Sequence, residues 1–109
     1  MTARKKAQKP AKYPPLPTSL DAPGGRVKVK LCDKIVNNGQ DCWGLWEEST
    51  RTISIVREMP PRHQWKVYFH EVAHIAITDA GLDDILNLET HEALCNAIAC
   101  QRMRERFGG

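Results

Sequence analysis

Between residues 26 and 31 the apolar side chains Val27, Val29 and Leu31 alternate with Arg26, Lys28 and Lys30, the period of two that lets a strand bury one face. This predicts a first strand. Asn37, Asn38 and Gly39 supply a turn, and Cys42, Trp43, Leu45 and Trp46 around Gly44 predict a second strand over about 41–47, bulged at the glycine. Glu48, Ser49 and Thr50 turn the chain again. In the stretch 52–58, Ile53, Ile55 and Arg57 share one face and Ser54 and Val56 the other, which predicts a third strand. Three short strands joined by tight turns predict a three-stranded antiparallel sheet.

Met59, Pro60 and Pro61 end the third strand, and a proline in the first helical position fits a helix over about 61–80, stopped by Gly81. Projected as a helix, Trp65, Phe69, Val72, Ala73, Ala76 and Ala80 fall within one arc of about 100°. That arc is expected to pack on the sheet. A neighbouring arc holds His70, His74, Val67 and Ile77. Asp83 and Asp84 lie in a loop, and a second helix is predicted from Leu88 or Thr90 to Arg106. The fold class is therefore α+β.

Charge divides the chain more sharply than its formal net value of +3 suggests. Residues 1–30 hold eight of the sixteen Lys and Arg and a single acid, Asp21, whereas residues 31–109 hold eight bases against twelve acids. The basic character belongs to the N-terminal segment. Its Lys, Ala and Pro content, with Pro10, Pro14, Pro15, Pro17 and Pro23, denies it a helix. The expectation is a flexible basic tail over 1–23, able to dock nucleic acid or a partner protein, and a folded domain over 24–109.

No apolar run approaches the length of a membrane span, and the basic N-terminus lacks the apolar segment of a secretion signal. A soluble, cytoplasmic protein is expected. Cys32, Cys42, Cys95 and Cys100 contain no CxxC pair, and free thiols in a reducing compartment are the expected state.

Candidate chemistry is concentrated in His70-Glu71-Val72-Ala73-His74, an H-E-x-x-H sequence inside a segment whose periodicity is already helical. Residues four apart lie one turn apart on one face, so both imidazoles can reach one Zn²⁺ at about 2.0–2.1 Å. Glu71 is rotated about 100° from His70, beside the ion rather than on it, where it could reach a water. That is the place of a general base. Two core histidines with an exposed glutamate between them are the alternative, but Val67, Val72, Ala73 and Ile77 form an apolar sleeve in which unsatisfied imidazoles would be costly.

A catalytic zinc needs a third protein ligand and an open position. Glu92, eighteen residues after His74, shares a helix face with Leu88, Cys95 and Ala99 and is the favoured candidate. Glu89 and His91 are the alternatives. Asn96, one turn on, could orient Glu92 or be a surface amide. His91 or Tyr68 could stabilise an oxyanion, although Tyr68 projects far from His70. His63, two turns before His70, reads as a surface residue.

The order of three strands, an H-E-x-x-H helix and a glutamate helix resembles the small gluzincin-like metallopeptidases, in particular the compact peptidases of phages and mobile elements. The matching stretches are Thr52 to Ile55, Phe69 to Ala76, Gly81-Leu82 and His91 to Ala99, within about residues 24–106. The resemblance implies His70, His74 and Glu92 as ligands of one zinc ion, Glu71 as the base that activates a zinc-bound water, and peptides or proteins as substrates in the host cytoplasm. Large gluzincins also carry subdomains with substrate pockets and a transition-state donor, which this chain does not identifiably supply. A zinc-binding module that does not cleave is one competing reading. The other is a nucleic-acid-associated protein acting through its basic tail.

Overall fold

The computed structural model describes residues 12–108. In chain order these form β1 (Ser19–Ala22), β2 (Gly25–Cys32), β3 (Val36–Asn37), β4 (Gln40–Asp41), β5 (Gly44–Glu47), β6 (Thr52–Val56), α1 (Pro61–Asp79), one 3₁₀ turn (Leu82–Asp84) and α2 (Leu88–Phe107). The architecture is α+β, but the sheet is not the expected three-stranded antiparallel meander. It has four strands in the order β1-β2-β6-β5, and β3 and β4 form a separate two-stranded ribbon.

The ribbon explains the difference. Asn38 and Gly39 both have positive φ, 55° and 77°, as a two-residue hairpin turn of the primed kind requires. The turn expected there exists, but it folds β3 onto β4 and does not return the chain along β2. The chain therefore travels past β2 before re-entering the sheet, and β6 pairs with β2 in parallel, Val29 opposite Ile53. Only β5 pairs with β6 antiparallel, Trp46 opposite Ile53. As the central strand, β6 is buried along its whole length, Thr52 and Ser54 included. It is not a sheet edge, so it has no free side to which a further strand could add.

Residues 12–23 belong to the folded body rather than to a flexible tail. Ser19–Ala22 pairs antiparallel with β2, the Tyr13 ring lies 4.7 Å from Phe107, and the Trp65 indole donates a 2.7 Å hydrogen bond to the Pro14 carbonyl. Prolines exclude a helix, as expected, yet they tolerate an extended strap across two helices. The folded body thus includes residues 12–23 and does not start at residue 24. Arg4, Lys5, Lys6 and Lys9, which carry most of the tail's charge, lie outside the described residues.

Helix α1 is the middle layer, with the sheet on one side and α2 on the other. Buried positions run almost all round it, so a single apolar arc is a poor guide to its packing. Trp65 and Phe69 belong to the same buried cluster as the sheet residues Val27, Val29, Ile53 and Ile55, but they meet α2 as well: Trp65 lies 5.3 Å from Phe107, and the Arg102 guanidinium covers Phe69. Ala76 and Ala80, placed in the same arc, are exposed. Tyr68 packs in that cluster too, 7% exposed, with its ring 5.4 Å from Trp65.

Two contacts fix the height of α1 over the sheet. At its C-terminal end, Asp79 accepts hydrogen bonds from Arg51 Nη1 and Nη2 (3.0 and 2.9 Å) and from the Gly24 amide (2.9 Å). Nearer the middle, a Cβ built on Gly44 would lie 2.5 Å from Val67 Cγ1 and 3.4 Å from Glu71 Oε2, so only glycine admits the helix this close to β5. Both features set where Glu71 stands.

Gly44→Ala is expected to cost about 1–3 kcal/mol through overpacking against the stiff Val67, read as a lower urea midpoint with unchanged slope. An unaltered midpoint would show that the approach is not tight. The Arg51 hydrogen bonds hold the Asp79 carboxyl below its ordinary value of 3.8. A depressed folded-state pKa stabilises above the unfolded value and is lost as pH falls through the folded one. Asp79→Asn should therefore lower the melting temperature at neutral pH, and the deficit should shrink as acid protonates the wild-type carboxyl. A deficit independent of pH would assign the loss to packing.

Candidate metal centre

The two helices run antiparallel: His74 meets His91 and Glu92, whereas Trp65, more than two turns earlier, meets Phe107. Local signals fix both ends of α2. The Asn87 side chain caps it by accepting from the Thr90 amide at 2.8 Å, and Gly108 closes it in the left-handed conformation. With α2 so placed, Ala73, Ile77 and Cys95 share one apolar cluster. One turn of α2 then lies directly against the H-E-x-x-H turn of α1.

Donor atoms of three residues converge there. His74 Nε2 is 3.1 Å from His70 Nε2 and 2.9 Å from Glu92 Oε2, and His70 Nε2 is 3.3 Å from Glu92 Oε1. Ligands held at about 2.0–2.1 Å around a tetrahedral ion stand roughly 3.3 Å from one another. The donors therefore already have nearly the mutual spacing that a single bound ion would impose. His70, Glu71 and His74 likewise form one group whose ligand atoms all lie within 4.8 Å of each other. These residues can hold a metal ion.

Glu71 differs from Glu92 in its surroundings. It is only 7% exposed, whereas the Glu92 side chain is 45% exposed, more open than the inward face expected of it. Burial, and then repulsion from Glu92, push the Glu71 carboxyl up to about 7. A cation between His70, His74 and Glu92 would oppose the repulsion and favour the carboxylate. The His74 ring is pushed down to about 4, chiefly by burial. Its neutral form, the one that ligates a metal, is thus favoured at neutral pH.

The donors open onto a cleft of about 530 Å³, bordered by β5 residues Gly44, Leu45 and Trp46, by Trp43 and His63, and by Asn96 of α2. His63 is a surface residue, as expected, its ring 5.6 Å from Trp43. Glu89 is exposed at the start of α2, outside the cluster. His91 is inside it, but on the far side of His74, with its Nε2 2.9 Å from His74 Nδ1. It is remote from the position of a third ligand to the His70 and His74 Nε2 atoms. Tyr68 is enclosed in the core and cannot serve as an oxyanion donor.

A second group, His74, His91 and Cys95, also brings its ligand atoms within 4.8 Å. The sequence held a signal for it, since His91 and Cys95 are four apart on α2. Cys95 is completely buried, and burial followed by repulsion from Glu92 and Glu71 pushes its thiol up to about 12. All four cysteines are free, as expected, although Cys100 is exposed. No helix among the described residues is long and apolar enough to cross a membrane.

Comparison of the chain with protein-family models, with curated proteins and with solved structures finds no match.

Titration with a divalent transition-metal ion is expected to raise the unfolding free energy by about 2.7 kcal/mol at a hundredfold excess over Kd. His74→Ala should abolish the rise. Glu92→Ala should weaken affinity by more than the roughly 10–100-fold typical of losing an outer-sphere partner, and Glu89→Ala should leave it unchanged. Equal affinity in the Glu92 and Glu89 variants would remove Glu92 from the ligand set.

Proposed function

We propose that the chain is a minimal gluzincin-like zinc peptidase that hydrolyses peptide bonds, with His70, His74 and Glu92 as zinc ligands and Glu71 as general base. The reading is carried by one observation: a carboxylate isolated from solvent stands beside a donor triangle of metal-ion size, and both open onto a cleft with a strand along its border. Two imidazoles and a carboxylate, with a fourth direction facing the cleft, match the donor set of a catalytic zinc rather than of a closed structural one.

A bound zinc ion would supply Lewis-acid polarisation of a water and of the substrate carbonyl. Glu71, held against Gly44 on the sheet side of α1, would take the proton from that water and pass it to the leaving nitrogen. Its burial suits this task, because a carboxylate that has lost water holds a proton more readily than an exposed one. His70 and His74 present their Nε2 atoms from one helix face, and Glu92 closes the set from the second helix.

Strand β5 is an outer strand of the sheet and borders the cleft. An extended peptide adding to β5 by main-chain hydrogen bonds would cross the metal site. Trp43, 58% exposed at the cleft mouth, would offer an apolar surface to a side chain of that peptide.

Glu71→Gln tests the reading. Zinc content measured by elemental analysis should equal that of the wild type, and cleavage of a peptide library should fall by at least about 100-fold. Full activity in the variant would remove Glu71 from the base role. A zinc-loaded wild type that cleaves nothing in the library would favour an interaction module built on the same metal site.

A further inference from the structure

The His74 ring has a partner on each nitrogen. Its Nε2 lies 2.9 Å from Glu92 Oε2, and its Nδ1 lies 2.9 Å from His91 Nε2. A neutral imidazole carries one proton, so one of its nitrogens donates and the other accepts. Two arrangements of the protons follow, and they differ in which contact is a hydrogen bond. In the first, His74 Nε2–H donates to the Glu92 carboxylate and His91 Nε2–H donates to His74 Nδ1. In the second, His74 Nδ1–H donates to His91 Nε2, and the His74 Nε2 lone pair is free to face the centre of the donor triangle. His70 Nε2 also lies 3.1 Å from His74 Nε2 and could donate to it in the second arrangement. A hydrogen bond to the Glu92 carboxylate is the stronger of the two, so the first arrangement suits an ion-free site, and only the second suits a ligand to zinc.

We propose that His91 is a positioning residue that lets His74 exchange between these two tautomers while both rings stay neutral. The inference rests on the metal-centre reading above and adds the means by which the site is satisfied with and without its ion. In the exchange, the His74 Nε2 proton leaves to solvent and the His91 Nε2 proton crosses to His74 Nδ1. A solvent proton then binds His91 Nδ1. One proton leaves and one arrives, so neither ring changes charge. His91 is half-buried, so its ring is not sealed from water as Cys95 is.

An acceptor-only partner such as a carboxylate would fix the second tautomer and leave the first unsatisfied. An aliphatic partner would satisfy neither. A side chain able both to donate and to accept is required, and histidine and glutamine qualify. The nearby thiol offers a rival explanation in which His74, His91 and Cys95 bind a second ion. Complete burial of Cys95 among Ala73, Ile77 and Leu86 disfavours the thiolate that such a site needs.

The test uses the full chain, with ¹⁵N-labelled histidine spectra recorded with and without zinc, and zinc affinities of His91→Leu, His91→Gln and Cys95→Ser. The expected result is His74 as the Nε2–H tautomer in the metal-free protein and the Nδ1–H tautomer with zinc, with His91 exchanging in step. His91→Leu should weaken zinc binding about 10–100-fold at unchanged stoichiometry, His91→Gln should restore most of it, and Cys95→Ser should match the wild type. The same His74 tautomer in both states would overturn the proposal, as would undiminished affinity in His91→Leu. So would two ions per chain falling to one in both His91→Leu and Cys95→Ser. A wild-type chain that takes up no zinc would instead sink the metal-centre reading, and the exchange with it.

Discussion

Two imidazoles and two carboxylates are brought together where α1 is pressed between β5 and α2, and each has lost part of its water. A buried polar group without a partner costs on the order of 1–3 kcal/mol, and a charged one more, so this cluster must be internally satisfied or bind something that satisfies it. The protein contacts go some way. His74 is partnered on both ring nitrogens and Glu92 reaches both histidines, but Glu71 stands in a low-water site with a second carboxylate for a neighbour. A divalent cation at the centre of the triangle would relieve all of these costs at once.

The placement of the cluster follows from features with no chemistry of their own. Gly44 lets α1 approach the strand, Arg51 and Asp79 hold the helix end to the sheet, and the cap at Asn87 starts α2 just before the turn that carries His91 and Glu92. The proline strap at 13–17 closes over Trp65 at the other end of the helix pair. Contacts on three sides thus set where the donors stand.

What could be read from the chain was whatever depends on local spacing. His70 and His74 face one way because they are four apart, Glu71 is turned from them because it is one apart, and Gly81 and Gly108 end their helices because only a left-handed residue fits there. Glu92 was legible for the same reason, through the face it shares with Cys95 and Ala99. The failures concern how elements meet. Ile53 and Ile55 announce a strand but not its partners, and an Asn-Gly turn two residues long diverted the chain into a ribbon, making β2 and β6 parallel. The role of His91 depends on the rotation of α2 about its axis relative to α1, which no spacing within α2 encodes. Ala76 and Ala80 misled because a helix covered on two sides has no single apolar stripe.

Helix α2 is held mainly against α1, through a narrow row of small or flexible residues: Cys95, Ala99 and Met103 are its buried positions. Its remaining surface is polar or exposed, so its docking rests on modest apolar area at one end and on the Glu92 contacts to His70 and His74 at the other. Those contacts are made by a half-exposed carboxylate at 3.3 and 2.9 Å, and the repulsion between Glu92 and Glu71 works against them. An ion coordinated by residues from both helices would replace weak links with strong ones at the end of the interface where apolar packing is thinnest. Metal affinity and helix docking are then two measurements of the same free energy, and the site's chemistry would be assembled only in the molecules whose second helix is fully seated.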